Sequence, residues 1–101
     1  MIVRIWRTGI DPARAGEYER FAEERSLPMF RAQQGYEGVL FTTAPDGRRA
    51  VISFWEDQKA VDALDGSESY RETASALAAT GILQGEQTVE LLTVHGGEPP
   101  G

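Results

Sequence analysis

A chain of 101 residues with ten basic and sixteen acidic side chains, net charge -6, holds enough material for one hydrophobic core and not for a cofactor domain beside a substrate domain. The sign of the charge is wrong for neutralising nucleic-acid phosphates or anionic lipid, and no run approaches the roughly 18 apolar residues of a membrane span, so neither nucleic acid nor membrane is expected as a partner. The absence of Cys and Asn excludes disulfides, thiolate chemistry, Cys-ligated metals and glycosylation sequons; with a start, Met1-Ile2-Val3-Arg4, unlike a signal peptide, the expected location is cytoplasmic.

The first segment, Ile2 to Thr8, is rich in β-branched and aromatic residues and stops at Gly9 and Asp11-Pro12, which predicts a strand. Val3, Ile5 and Arg7 share one face of it; Ile2, Arg4, Trp6 and Thr8 share the other. Beyond Pro12 the apolar period changes to three or four, through Tyr18, Phe21, Ala22, Met29 and Ala32, the pattern of an amphipathic helix. Pro28 removes a backbone donor and crowds Glu24, so that helix should kink or restart there and close near Gly35.

Two strands follow, Gly38 to Thr43 and Arg49 to Trp55, joined by Ala44-Pro45-Asp46-Gly47, a turn in which Pro presets the first corner and Gly takes positive φ. From Asp57 the helical period returns with Ala60, Val61 and Leu64, breaks at Asp65-Gly66-Ser67, and resumes with Tyr70, Thr73, Ala74 and Leu77. Ser69 and Glu72 have the spacing of a capping box, which would start the resumed helix at Tyr70 and end it at Gly81. Thr88 to Val94 reads as a fourth strand. Residues 1–95 form the expected domain and 96–101 a disordered tail.

Strand, helix, strand, strand, helix, strand is the split βαβ order of an α+β, ferredoxin-like fold. Right-handed crossovers put both helices on one face of a four-stranded antiparallel sheet with the first and third strands central. The strands are apolar on both faces, and helices cover one. A second copy of the chain is the natural cover for the other, giving a homodimer with its sheets face to face.

The segment Ser53-Phe54-Trp55-Glu56-Asp57, followed by Ala60, Leu64, Ser67 and Ser69-Tyr70, together with the opening strand Ile2 to Thr8 and the Gly35-Tyr36-Glu37-Gly38-Val39 entry to the second strand, resembles the antibiotic-biosynthesis-monooxygenase family. The resemblance runs from about Met1 to His95. It implies a dimeric α+β barrel with a pocket between each sheet and its helices, and an activity that, in some members, oxidises polycyclic phenols with dioxygen and no cofactor. The heme-degrading branch uses an Asn on the first strand and a His on the second helix, and this chain supplies neither.

Five residues are candidates for the site. Trp55, ending a central strand, either walls a pocket and stacks on an aromatic substrate or seals the strand-to-helix corner. Tyr70 either donates its hydroxyl to a phenolate or peroxide oxygen or rests half-buried with its OH in water. Arg4 either stabilises an anionic oxygen or forms an ion pair across the sheet, with Glu90 the plausible partner. Phe30 and Phe41 would line a cavity for a small aromatic or hydrophobic ligand. Arg7 should be solvated, and His95, the lone histidine, has no companions for a metal site. No dinucleotide or phosphate loop, calcium loop or His-Glu-x-x-His occurs, so no cofactor and no metal is expected.

Two readings of function follow: a cofactor-independent monooxygenase of a small aromatic or polyketide-type substrate, or a non-catalytic dimeric barrel that binds a small hydrophobic metabolite. A weaker third, isomerase or lactone chemistry, requires a general base in the pocket.

Overall fold

Pairing of the strands explains most of the architecture of the computed structural model, which describes residues 1–98. Strands β1 (Ile2–Ile10), β2 (Tyr36–Thr43), β3 (Arg49–Trp55) and β4 (Leu83–Thr93) form one antiparallel sheet in the order β2-β3-β1-β4, with β1 and β3 central. The expected ferredoxin-like α+β fold is observed, and the hairpin turn at Gly47 (φ +88°) closes with a Gly47 N–H to Ala44 carbonyl bond of 2.9 Å. The tail expected over 96–101 lies partly outside the described residues.

One face of β1 and β3 alternates into the helical layer with Ile2, Arg4, Trp6, Thr8, Val51, Ser53 and Trp55. Against it lie a 3-10 turn (Pro12–Arg14), α1 (Ala15–Phe21), a π-helical stretch Ala22–Ser26, α2 (Leu27–Arg31), α3 (Gln58–Asp65) and α4 (Glu68–Ala79). Pro28 does not break the helix outright. The coil widens just before it, with the Leu27 N–H donating to the Ala22 carbonyl five residues back, and α2 then restarts with Pro28 in its first turn, where no donor is needed.

Several boundaries differ from the sequence reading, among them a β2 that starts at Tyr36 rather than Gly38. β1 runs through Gly9 to Ile10, because the register against β4 shifts between Arg7 and Gly9 and a side chain at Gly9 would sit 2.8 Å from the Gln84 carbonyl oxygen; this glycine marks a close approach inside a strand rather than its end. β4 begins at Leu83, not Thr88, since Leu83 and Gln84 pair with Ile10 and Gly9 on the far side of the register shift. α4 begins at Glu68, and its N-cap is Ser67, whose Oγ accepts from the Tyr70 N–H at 3.3 Å. Ser69 instead accepts from Gln33 Nε2 at 3.0 Å. Replacing Ser67 with Ala should therefore cost about 1 kcal/mol in urea denaturation, whereas Ser69→Ala should change stability by less than about 0.5 kcal/mol; the reverse order would restore the capping box.

Two clusters make up the core. Ile2, Met29, Phe30, Val51, Trp55, Ala60, Val61 and Leu64 form the larger, and Ile10, Tyr18 and Ile82 the smaller, with Trp6 packing against both. The helical layer stops short of β4: Val89 and Leu91, on its helix side, are 52% and 44% exposed. The opposite face of the sheet carries Val3, Ile5, Leu40, Ile52, Phe54 and Leu92 with no helix over it, and Leu40 and Leu92 are exposed.

Candidate functional site

The space between the two clusters is a cavity of about 90 Å³, bounded below by Arg4, Trp6, Phe41, Val51 and Leu83 of the sheet, and above by Tyr18, Phe21, Ala22, Ser26, Met29 and Phe30 of the first helical run and Tyr70, Thr73, Ala74 and Leu77 of α4. Its existence follows from side-chain size. The sheet-facing stripe of α4 recurs at i, i+3, i+4, i+7, and its two middle members, Thr73 and Ala74, are too short to reach the sheet. On the opposite wall, Ala22 and Ser26 are small and fall at the two ends of the π-helical stretch, where the backbone swings wide.

The wall is apolar apart from a few groups. Arg4 is 4% exposed, and its Nη2 donates to the Tyr70 hydroxyl at 2.8 Å. With that oxygen held as an acceptor, the Tyr70 proton remains available to a ligand. Burial pushes the Tyr18 phenol up to about 12, against the opposing pull of the Arg49 cation, so Tyr18 is a neutral hydroxyl at physiological pH. Among the described residues the lining includes no Asp, Glu, His or Lys.

Of the five sequence candidates, Arg4, Tyr70, Phe30 and Phe41 meet at this cavity and Trp55 does not. Trp55 has no exposed surface; its Nε1–H donates to Ser53 Oγ at 2.8 Å, and its ring is 6.3 Å from Phe30 and 6.2 Å from Tyr36. It is the packed corner of the core. The ion pair expected between Arg4 and Glu90 is also absent: Glu90 lies opposite Ile5 on the other face of the sheet and pairs with the half-exposed Arg7 at 3.0 Å. A one-residue difference in register accounts for it, since neighbouring strand residues face opposite ways. His95 is exposed two residues beyond the end of β4. Sequence reasoning missed Trp6, Tyr18, Thr73 and Leu77 as cavity residues. The signals were present, because Trp6 shares a face with Arg4 and the Tyr70-Thr73-Ala74-Leu77 stripe has helical spacing.

Comparison with solved structures places the architecture. The chain superposes on SnoaB, a cofactor-independent oxygenase from Streptomyces nogalater, with a TM-score of 0.80 at 20% identity, over 98% of this chain and 97% of that one. It superposes on the monooxygenase ActVA-Orf6 of Streptomyces coelicolor, solved with nanaomycin D, with a TM-score of 0.83 at 19% identity, over 99% and 92%. The fold is that of the antibiotic biosynthesis monooxygenases. A third structure with the antibiotic biosynthesis monooxygenase fold, from Deinococcus radiodurans and named a putative member of that group, matches with a TM-score of 0.79 at 10% identity, over 99% and 98%. No protein-family profile and no curated protein matches the chain by sequence. The resemblance read from the sequence is thus borne out as a shared fold, reached at identities where side chains have diverged almost everywhere.

Proposed function

We propose that this chain is a cofactor-independent monooxygenase of a small aromatic substrate and works as a homodimer joined through the open face of its sheet. The observation that carries the reading is the Arg4–Tyr70 pair, a buried cation and a free hydroxyl proton in an otherwise apolar chamber. Two structural neighbours are named as an oxygenase and a monooxygenase, which supports it.

The chemistry these groups favour is electron transfer from an ionised ring. Dioxygen is a triplet and reacts slowly with closed-shell molecules, so the substrate must give up one electron. A phenolate such as that of 1-naphthol does so, forming a ring radical and superoxide, which join at the carbon para to the oxygen as a peroxide. Scission of the O–O bond leaves a carbonyl there and expels the second oxygen as water, so one naphthol and one dioxygen become one quinone and one water. Arg4 stabilises the ring oxyanion, and Tyr70 gives its proton to the departing peroxide oxygen and regains one from the substrate carbon. The largely apolar walls lower the local dielectric, which strengthens both interactions.

With 1-naphthol in buffer alkaline enough to ionise it, under labelled dioxygen, the protein should form a quinone carrying one labelled oxygen, and Tyr70→Phe should lower kcat about 100-fold. Tight binding without quinone would replace the enzyme with the second reading, a barrel that only binds a hydrophobic metabolite. The isomerase or lactone reading is disfavoured by the lack of any carboxylate, histidine or lysine in the lining.

A further inference from the structure

Arg4 and Arg49 are both nearly buried, and they differ in one respect. Arg49 Nη1 is 2.8 Å from Glu19 Oε2, so its charge is balanced within the protein. Arg4 forms no salt bridge among the described residues, and its only side-chain hydrogen bond there is to the neutral Tyr70 hydroxyl, although a guanidinium carries five N–H donors. A buried charge without a counter-ion is costly, and natural proteins rarely keep one without a use. Arg4 is one of the residues that line the cavity.

The remaining lining has nothing that takes a proton near neutral pH. The titratable groups that face the cavity are Arg4 on β1, Tyr18 on α1 and Tyr70 on α4, and Tyr18 is held neutral by its burial. A substrate that must be an anion to react therefore cannot be ionised by a base inside the cavity.

We infer that the cavity selects an aromatic ligand that arrives already ionised, with Arg4 as the residue that sets this specificity. The inference rests on the functional reading above and names its substrate class. Long-range attraction does not explain a preference for anions, since the chain carries a net charge of -6; the selection has to come from a cation within a Debye length, about 10 Å, of the ligand.

The test uses 4-nitrophenol, which turns yellow when ionised and whose electron-poor ring resists the one-electron oxidation proposed above. Bound to the protein, its apparent pKa should fall by at least one unit, because the site stabilises the phenolate; an unchanged or raised value overturns the inference. Arg4→Lys should retain most of the shift and Arg4→Met should abolish it, and persistence of the shift in Arg4→Met, with the fold intact by circular dichroism, also overturns it. In case Arg4→Met fails to fold, the wild-type protein gives an independent reading: benzoate should bind at least tenfold more tightly than benzamide, followed by Trp6 fluorescence. Equal affinities, or binding of neither at millimolar concentration, reject the inference. A lowered nitrophenol pKa without quinone from naphthol would sink the monooxygenase reading alone, and quinone with a raised nitrophenol pKa would sink only the preference for anions.

Discussion

Trp55→Ala should destabilise the fold by about 3–5 kcal/mol, the range for emptying a large buried aromatic position. Total stability for a domain of this size is on the order of 5–15 kcal/mol, so the variant should unfold at a much lower urea concentration than the parent chain. The cost has two sources. The indole is wholly enclosed and touches Phe30 and Tyr36, so its removal leaves a void that the surrounding residues fill only in part. Ser53 Oγ is buried and accepts from the indole N–H, and the substitution removes that partner. Trp55→Phe should cost less, because a ring remains. A loss below about 1 kcal/mol for Trp55→Ala in urea titration would show that the corner is not a packing centre. Activity of the folded Trp55→Phe protein on naphthol should stay close to wild type, since the side chain has no surface on the cavity.

The double variant Ile52→Asp with Phe54→Lys should abolish self-association. Both residues lie on the open sheet face of the central strand β3, beside Val3 and Ile5 of β1, and the proposed dimer would desolvate them completely. Burying a charge of either sign against an apolar partner surface costs several kcal/mol, and each substitution enters the interface twice through the twofold axis. Light scattering should give twice the chain mass of 11.1 kDa for the parent and the single mass for the variant. A parent that already has the single mass at micromolar concentration would remove the dimer from the proposed function. Neither side chain faces the helices, so the far-ultraviolet circular dichroism of the variant should be preserved.

Periodicity carried most of the fold. Alternation in Ile2–Thr8 placed Arg4 and Trp6 on one face and Val3 and Ile5 on the other, as found, and the Pro-Asp-Gly turn set the β2–β3 hairpin. The signals failed where tertiary contact overrode local chemistry. Gly9 looked like a terminator because nothing in one strand shows that the neighbouring backbone comes within reach of it. The polar Gln84–Gln87 stretch concealed the start of β4, since an edge strand exposed on both faces needs no apolar alternation. Ser67 and Ser69 both have the chemistry of a cap, and only the three-dimensional course of the chain decides between them. In the site, residue type identified Arg4 and Tyr70 as candidates, yet their 66-residue separation conceals the hydrogen bond that joins them. The two readings of Trp55 stayed open for the same reason: an aromatic at the end of a central strand can face a void or a packed corner, and small side chains on a distant helix determine where the void falls.

Helix α4 contains no fully buried residue, although it forms one wall of the chamber. Tyr70, Thr73 and Leu77 are only partly shielded from water and Ala74 is exposed, and the contact with the sheet is interrupted by the hollow itself. Lifting this segment therefore sacrifices less apolar contact than displacing the Met29 and Phe30 side, whose residues are anchored in the main core. Of the walls around the hollow, α4 is thus the one a bound molecule displaces most cheaply, and Ser67 and Gln33 tie down the end about which it would turn.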